Sequence, residues 1–164
     1  MNLNNLFQNF CKKNNLEINT YQLTIIDKLK NYYNLNFNKS FLNKFFSKNN
    51  SKPALYLHGD VGVGKTMILN FFFDLLEEKK LRQHFNEFML SFHDFAHERK
   101  ENNEENIINQ FVKDLKSKTK LIYFDEFQVT NIVDAMILGK LFEQIFKENI
   151  KIILTSNTKI SELY

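Results

Sequence analysis

Residues 59–66 read Gly-Asp-Val-Gly-Val-Gly-Lys-Thr and hold three of the four glycines in the 164-residue chain. The spacing is G-x-x-x-x-G-K-T, set between an apolar strand and a helix, which is the pattern of a phosphate-binding loop. Polyphosphate recognition needs many backbone N–H groups converging on one point. Gly59, Gly62 and Gly64 allow backbone angles closed to other residues and place no Cβ in the way. The amides of this stretch, including those of Asp60, Val61 and Val63, then face inward as an anion nest. The positive end of the following helix adds its dipole. In such a loop Lys65 reaches the β- and γ-phosphates and the Thr66 hydroxyl ligates Mg²⁺. The competing reading, a glycine-rich turn before an ordinary helix, does not explain why glycine is so scarce elsewhere.

A magnesium-dependent phosphate site needs a carboxylate at the end of a neighbouring strand. "LIYFDEF" supplies one, with apolar residues 121–124 followed by Asp125 and Glu126. Asp125 is expected to hold Mg²⁺, directly or through water. Glu126 is expected to act as general base on the attacking water. Acidic pairs also occur where strands exit to solvent, so this pair gains its meaning from the upstream loop. A third strand end, "IILTSN", closes on Thr155, Ser156 and Asn157. The Asn157 amide could orient the water or touch the γ-phosphate; on its own it reads better as a turn or cap. His93 and His97 are four apart, as metal ligands on a helix can be, but no HExxH pattern or third ligand accompanies them.

The elements that must position these groups follow from periodicity. Leu3, Leu6, Phe7 and Phe10 form a helical stripe, and Leu23, Ile26, Leu29 and Tyr33 form a second, with Thr20 as its expected N-cap. The polar run 47–52 and the only proline, Pro53, divide the chain into a helical segment, 1–52, and a core, 53–164. In the core the expected order is strand 54–58, helix 65–80, strand 84–90, helices 91–99 and 104–116, a buried strand from 121, helix 132–149 and strand 150–156. Such alternation predicts an α/β fold, a parallel sheet flanked by helices.

Composition narrows the classes further. Apolar residues make up 43% of the chain, enough for a core, and one cysteine, Cys11, leaves no internal disulfide. A reducing, intracellular setting is expected, and no apolar run reaches the length of a membrane span. The net charge of +3 is uneven. Residues 1–53 carry eight lysines against Glu17 and Asp27, whereas the remainder is net acidic. Lysines alternate with aromatics over 37–48, but without Arg or Gly this is a poor nucleic-acid signature, and a solvated face is the expected reading.

The ordered segments GDVGVGKT, HFNEFM, FDEFQVTNIVDAMILGKLFEQIF and TSNTKISELY closely resemble the ZapE cell-division ATPases and the related mitochondrial Afg-type ATPases, themselves AAA+-related. The resemblance covers 53–164 well and is fainter around Gln22. It implies an ASCE-type P-loop NTPase that binds ATP and Mg²⁺, with Asn157 at the sensor-1 position and its strand between those of Gly59 and Asp125. It also implies a homo-oligomer acting on a protein partner, FtsZ for bacterial members. Family members usually have Arg or Thr where Val63 stands. They also continue beyond the position of Tyr164, so the last core strand, arginine finger, sensor 2 and lid are expected to be missing. Two other readings remain open: a DnaC/IstB-like helicase loader, disfavoured by "FDEFQVT", and a nucleotide-binding remnant without turnover.

Overall fold

The computed structural model describes residues 2–37, 52–60, 62–99, 103–129 and 131–162. Val61 and the lysine–aromatic stretch beyond Phe37 lie outside the described residues. The chain forms two compact units, Met1–Lys52 with Asp60–Glu77, and Pro53–Gly59 with Glu78–Tyr164.

The first unit is helical. Helix α1 (Leu3–Lys13) begins at Asn2, whose side chain accepts from the Asn5 amide, and it buries Leu3, Phe7 and Cys11. Leu6, expected on the buried stripe, is 39% exposed. Helix α2 (Thr20–Phe37) buries Gln22, Ile25, Ile26, Leu29 and Tyr32, a face turned slightly from the expected one. Its cap lies one residue before Thr20. The Gln22 amide donates to Asn19 Oδ1 at 2.8 Å, and the Asn19 amide donates to Gln22 Oε1 at 3.1 Å. This reciprocal capping box satisfies two otherwise orphaned donors, which a threonine at position 20, already inside the first turn, does not. Helix α3 (Lys65–Asp74) buries Ile68, Leu69, Phe71 and Phe72. Phe71 packs against Phe7 and Phe10 with ring centroids 5.3 and 5.0 Å apart, and Phe72 meets Tyr33 at 6.3 Å. The helix expected over 65–80 therefore stops at Asp74, where Leu75 caps it.

The second unit carries the sheet. Strands β1 (Ala54–His58), β2 (Lys80–His84), β3 (Leu121–Asp125) and β4 (Lys151–Ser156) pair in parallel in the order β1-β4-β3-β2. The Asn157 strand thus lies between those ending at Gly59 and Asp125, as the resemblance implies. Strands β3 and β4 are buried along their full lengths, which explains their near-continuous apolar sequences. Helices α4 (Phe85–Arg99), α5 (Glu104–Lys118) and α6 (Ile132–Lys147) supply the rest of the core. Phe88, Phe92, Val112, Leu115, Leu138, Leu141 and Ile145 pack with Ile122, Phe124, Ile152 and Leu154 of the sheet.

One expected strand is wrong. Residues 85–90 are the first turns of α4, and only His84 of the expected strand 84–90 lies in β2. The reason is spacing: Phe85, Phe88, Met89 and Phe92 recur at i, i+3, i+4 and i+7 and are all buried, which is a helical face. Helix 91–99 is the continuation of this same element, and α5 and α6 end within two residues of the expected positions.

Candidate functional site

The first unit holds the loop residues from Asp60 onward. Gly62 has φ +85° and Gly64 φ +87°, the left-handed region that glycine enters without a Cβ penalty. Gly64 is the N-cap of α3 and makes no side-chain cap hydrogen bond, so the helix starts without a capping side chain of its own. Behind the loop stands Gln22, held by its capping box; a Cβ on Gly64 would lie 3.2 Å from Gln22 Nε2. Lys65 is buried, yet its Nζ donates to the Asp60 carbonyl at 2.8 Å. A desolvated ammonium so close to a helix N-terminus concentrates positive charge at one end of α3. Thr66 presents its side chain in an exposed position.

The second unit holds Gly59, Asp125, Glu126 and Asn157. The Gly59 amide donates to Ser156 O at 3.3 Å, so it serves the β1–β4 pairing. Asp125 ends β3 with its carboxylate almost wholly buried, and three strands contribute donors to it. Tyr123 Oη and Thr155 Oγ1 both donate to Oδ1 at 2.9 Å. Arg82 Nη2 donates to Oδ2 at 2.7 Å. Burial alone would raise the Asp125 pKa; the hydrogen bonds from Arg82, Tyr123 and Thr155, with the guanidinium charge, outweigh it and hold the carboxyl below its ordinary value. The Tyr123 phenol moves the opposite way, pushed up chiefly by burial, with the adjacent Asp125 charge adding to it.

At Glu126 the backbone turns left-handed, with φ +53°. This conformation is uncommon for a residue bearing a Cβ. It sends the Glu126 side chain to solvent, 79% exposed, while Phe127 returns to the core. The Phe127 amide fixes the turn by donating to Thr155 O at 2.6 Å. Glu126 and Asn157 line one groove of about 220 Å³ with Phe127, Gln128, Ser156 and Thr158. The turn carrying Asn157 is pinned by Tyr56 Oη, which donates to Thr158 O at 2.7 Å, and by the Thr158 amide on Ser156 Oγ at 3.1 Å. His93 belongs to neither half: its Nε2 lies 2.7 Å from Asp134 Oδ1, tying α4 to α6.

The donor sets fit a magnesium–triphosphate. Two left-handed glycines, an uncapped helix start and a buried lysine suit phosphate oxygens. The Thr66 hydroxyl of the first unit and the Asp125 carboxylate of the second are each hard oxygen donors of the kind Mg²⁺ takes. When bound, such a metal would supply charge neutralisation on the phosphate oxygens.

Sequence reasoning missed the three residues that hold Asp125. Tyr123 was accessible to it, because residues two apart on a strand share a face. Thr155 and Arg82 come from other strands and need the sheet order and the true position of β2.

A parallel α/β sheet followed at the end of β1 by this loop and helix defines a P-loop NTPase. The chain belongs to the AFG1-like ATPase family, whose sequence pattern residues 7–164 match. It is 39% identical over 128 residues to Lactation elevated protein 1 homolog B of Danio rerio, a match covering 72% of this chain and 25% of that protein. It is 38% identical over 121 residues to Cell division protein ZapE of Escherichia coli K12, covering 72% and 31% respectively. The chain therefore spans only about a quarter to a third of the length of these curated relatives. The AMPPCP-bound structure of DnaA from Aquifex aeolicus aligns over 92% of this chain and 42% of its own, with a TM-score of 0.60 and 15% identity; this is a likeness of fold alone. Among the described residues no helix is long and apolar enough to cross a membrane.

Proposed function

We propose that this chain binds ATP with Mg²⁺ and hydrolyses it. The observation that carries this is the 62–66 loop, where two left-handed glycines lead into an uncapped helix beside the buried Lys65. In this reading the loop amides and Lys65 hold the phosphates, Thr66 and Asp125 are the metal ligands, and Glu126 takes the proton of the attacking water. Asn157 orients that water or the γ-phosphate. The left-handed turn at Glu126 supports its role, because it keeps the carboxylate exposed in the groove that Asn157 shares.

Similarity to a protein named for cell division makes a ZapE-like role the one to test, with turnover coupled to work on a protein partner. FtsZ in the cytoplasm is the candidate partner, and a homo-oligomer the working form, that the resemblance suggests. The decisive experiment pairs two variants. Lys65→Ala is expected to abolish nucleotide binding and its thermal stabilisation of the chain, an effect worth about 2.7 kcal/mol at a hundredfold excess over Kd. Glu126→Gln is expected to keep that stabilisation and lose turnover by about 10²–10⁴. Equal ATP turnover in wild type and Glu126→Gln would remove Glu126 from the mechanism. No nucleotide-dependent stabilisation of wild type would overturn the function.

A further inference from the structure

The two oxygens of Asp125 are held in different ways. Oδ1 accepts from Tyr123 and Thr155, short-range donors on side chains with almost no solvent exposure. Among the described residues Oδ2 accepts from Arg82 alone. The Arg82 side chain is long and 37% exposed. Its guanidinium lies 5.2 Å from the centroid of the Tyr123 ring, an aromatic surface along which it can leave the carboxylate while staying partly solvated.

We propose that Arg82 is a built-in competitor of the magnesium ion, occupying the Asp125 oxygen that the metal must take and so setting the Mg²⁺ concentration at which the site fills. The inference rests on the reading of Asp125 as a metal ligand. A guanidinium and a divalent cation on one carboxylate repel each other strongly where water is excluded. Binding of either therefore weakens the other, and the coupling is reciprocal. Arg82 compensates the buried Asp125 charge before nucleotide arrives, which spares the empty site an unpaired buried carboxylate. It is a positioning residue: it acts on the metal through Asp125.

The test is a Mg²⁺ titration of the full chain in the presence of a fluorescent ATP analogue, mant-ATP, reading the half-saturating Mg²⁺ concentration. Arg82→Gln, which keeps a neutral donor, is expected to lower that concentration on the order of tenfold. Arg82→Lys, which keeps the charge, is expected to stay close to wild type. A residue that merely supported the fold or aimed Asp125 would shift the value upward when removed. An unchanged or raised half-saturating concentration in a folded Arg82→Gln overturns the proposal. Should that variant not fold, the wild-type chain decides: the Arg82 Nη2–H NMR signal, from the group that donates to Asp125 Oδ2, is expected to be protected from solvent exchange without metal and to lose protection at saturating Mg²⁺ and nucleotide. Persistent protection overturns the proposal. Mg²⁺-dependent mant-ATP binding that disappears in Lys65→Ala establishes the parent reading separately. Its absence in wild type overturns both.

Discussion

Gly62 and Gly64 share a left-handed backbone but differ in what a methyl group would meet. Nothing lies within 4 Å of a Cβ on Gly62, whereas one on Gly64 falls 3.2 Å from Gln22 Nε2 and 3.5 Å from Met67 Cε. An alanine at either position carries the left-handed penalty of about 1–2 kcal/mol, offset by about 0.4–1 kcal/mol from the stiffer unfolded chain. At Gly64 the carboxamide must also shift, and Gln22 is fixed at its other end by Asn19. Gly62→Ala should therefore cost about 1 kcal/mol or less in urea unfolding, and Gly64→Ala should cost more, about 2 kcal/mol. Equal losses would show that the Gln22 contact does not constrain the loop. The same logic distinguishes the residues of the Asp125 cluster. Tyr123 and Thr155 are rigidly placed by their strands, and only Arg82 has the reach to move.

At the scale of elements, α2 depends on its capping box, and the box also holds Gln22 behind the loop. Asn19→Ala removes the acceptor for the Gln22 amide and is expected to cost about 1 kcal/mol. Asn19→Asp, which retains an acceptor, should cost much less; similar losses for both would argue against the cap. Elements with strong apolar signals were legible in the sequence. Strands β3 and β4 read as buried because both faces are covered, and helices α5 and α6 read from long periodic runs. Strand β2 did not. It lies at an edge of the sheet, is five residues long and reads Lys-Leu-Arg-Gln-His, the short polar form that edge strands take. Without an apolar signal there, the sequence points to a strand on the following Phe-rich segment, whose true period is helical. That single displacement hid Arg82 as well, since its side chain meets Asp125 only when Arg82 pairs with Tyr123 in the β2–β3 register. The phosphate loop was legible because its glycines carry a backbone requirement directly in sequence. The partners of Asp125 depend on which strands become neighbours, and strand order is not written locally.

At the scale of the whole molecule, charge placement singles out one residue without a role in the site. Among the described residues Lys65, Asp125 and Lys151 are the buried charged side chains. The first two belong to the candidate site. Lys151 opens β4, in the middle of the sheet, and is 6% exposed. Burial pushes its amine below the ordinary value of 10.5, and the like charge of Lys116 adds to the shift. The unfolded chain therefore holds this proton more tightly than the folded one. Between the lowered folded value and 10.5 the unfolded state binds more protons, so stability rises with pH across that window. Below it, at neutral pH, the protein carries the full penalty of a desolvated ammonium. Lys151→Met keeps most of the side-chain volume and removes the charge. The variant is expected to melt a few degrees above wild type at pH 7. The difference should shrink as the pH approaches 10.5, because wild type sheds its penalty there while other, exposed lysines titrate alike in both proteins. Paired thermal melts from pH 7 to 10.5 measure this directly. A variant that melts below wild type at pH 7 would mean that the Lys151 ammonium makes contacts worth more than its burial costs. A difference that stays constant with pH would mean that the gain comes from packing rather than charge.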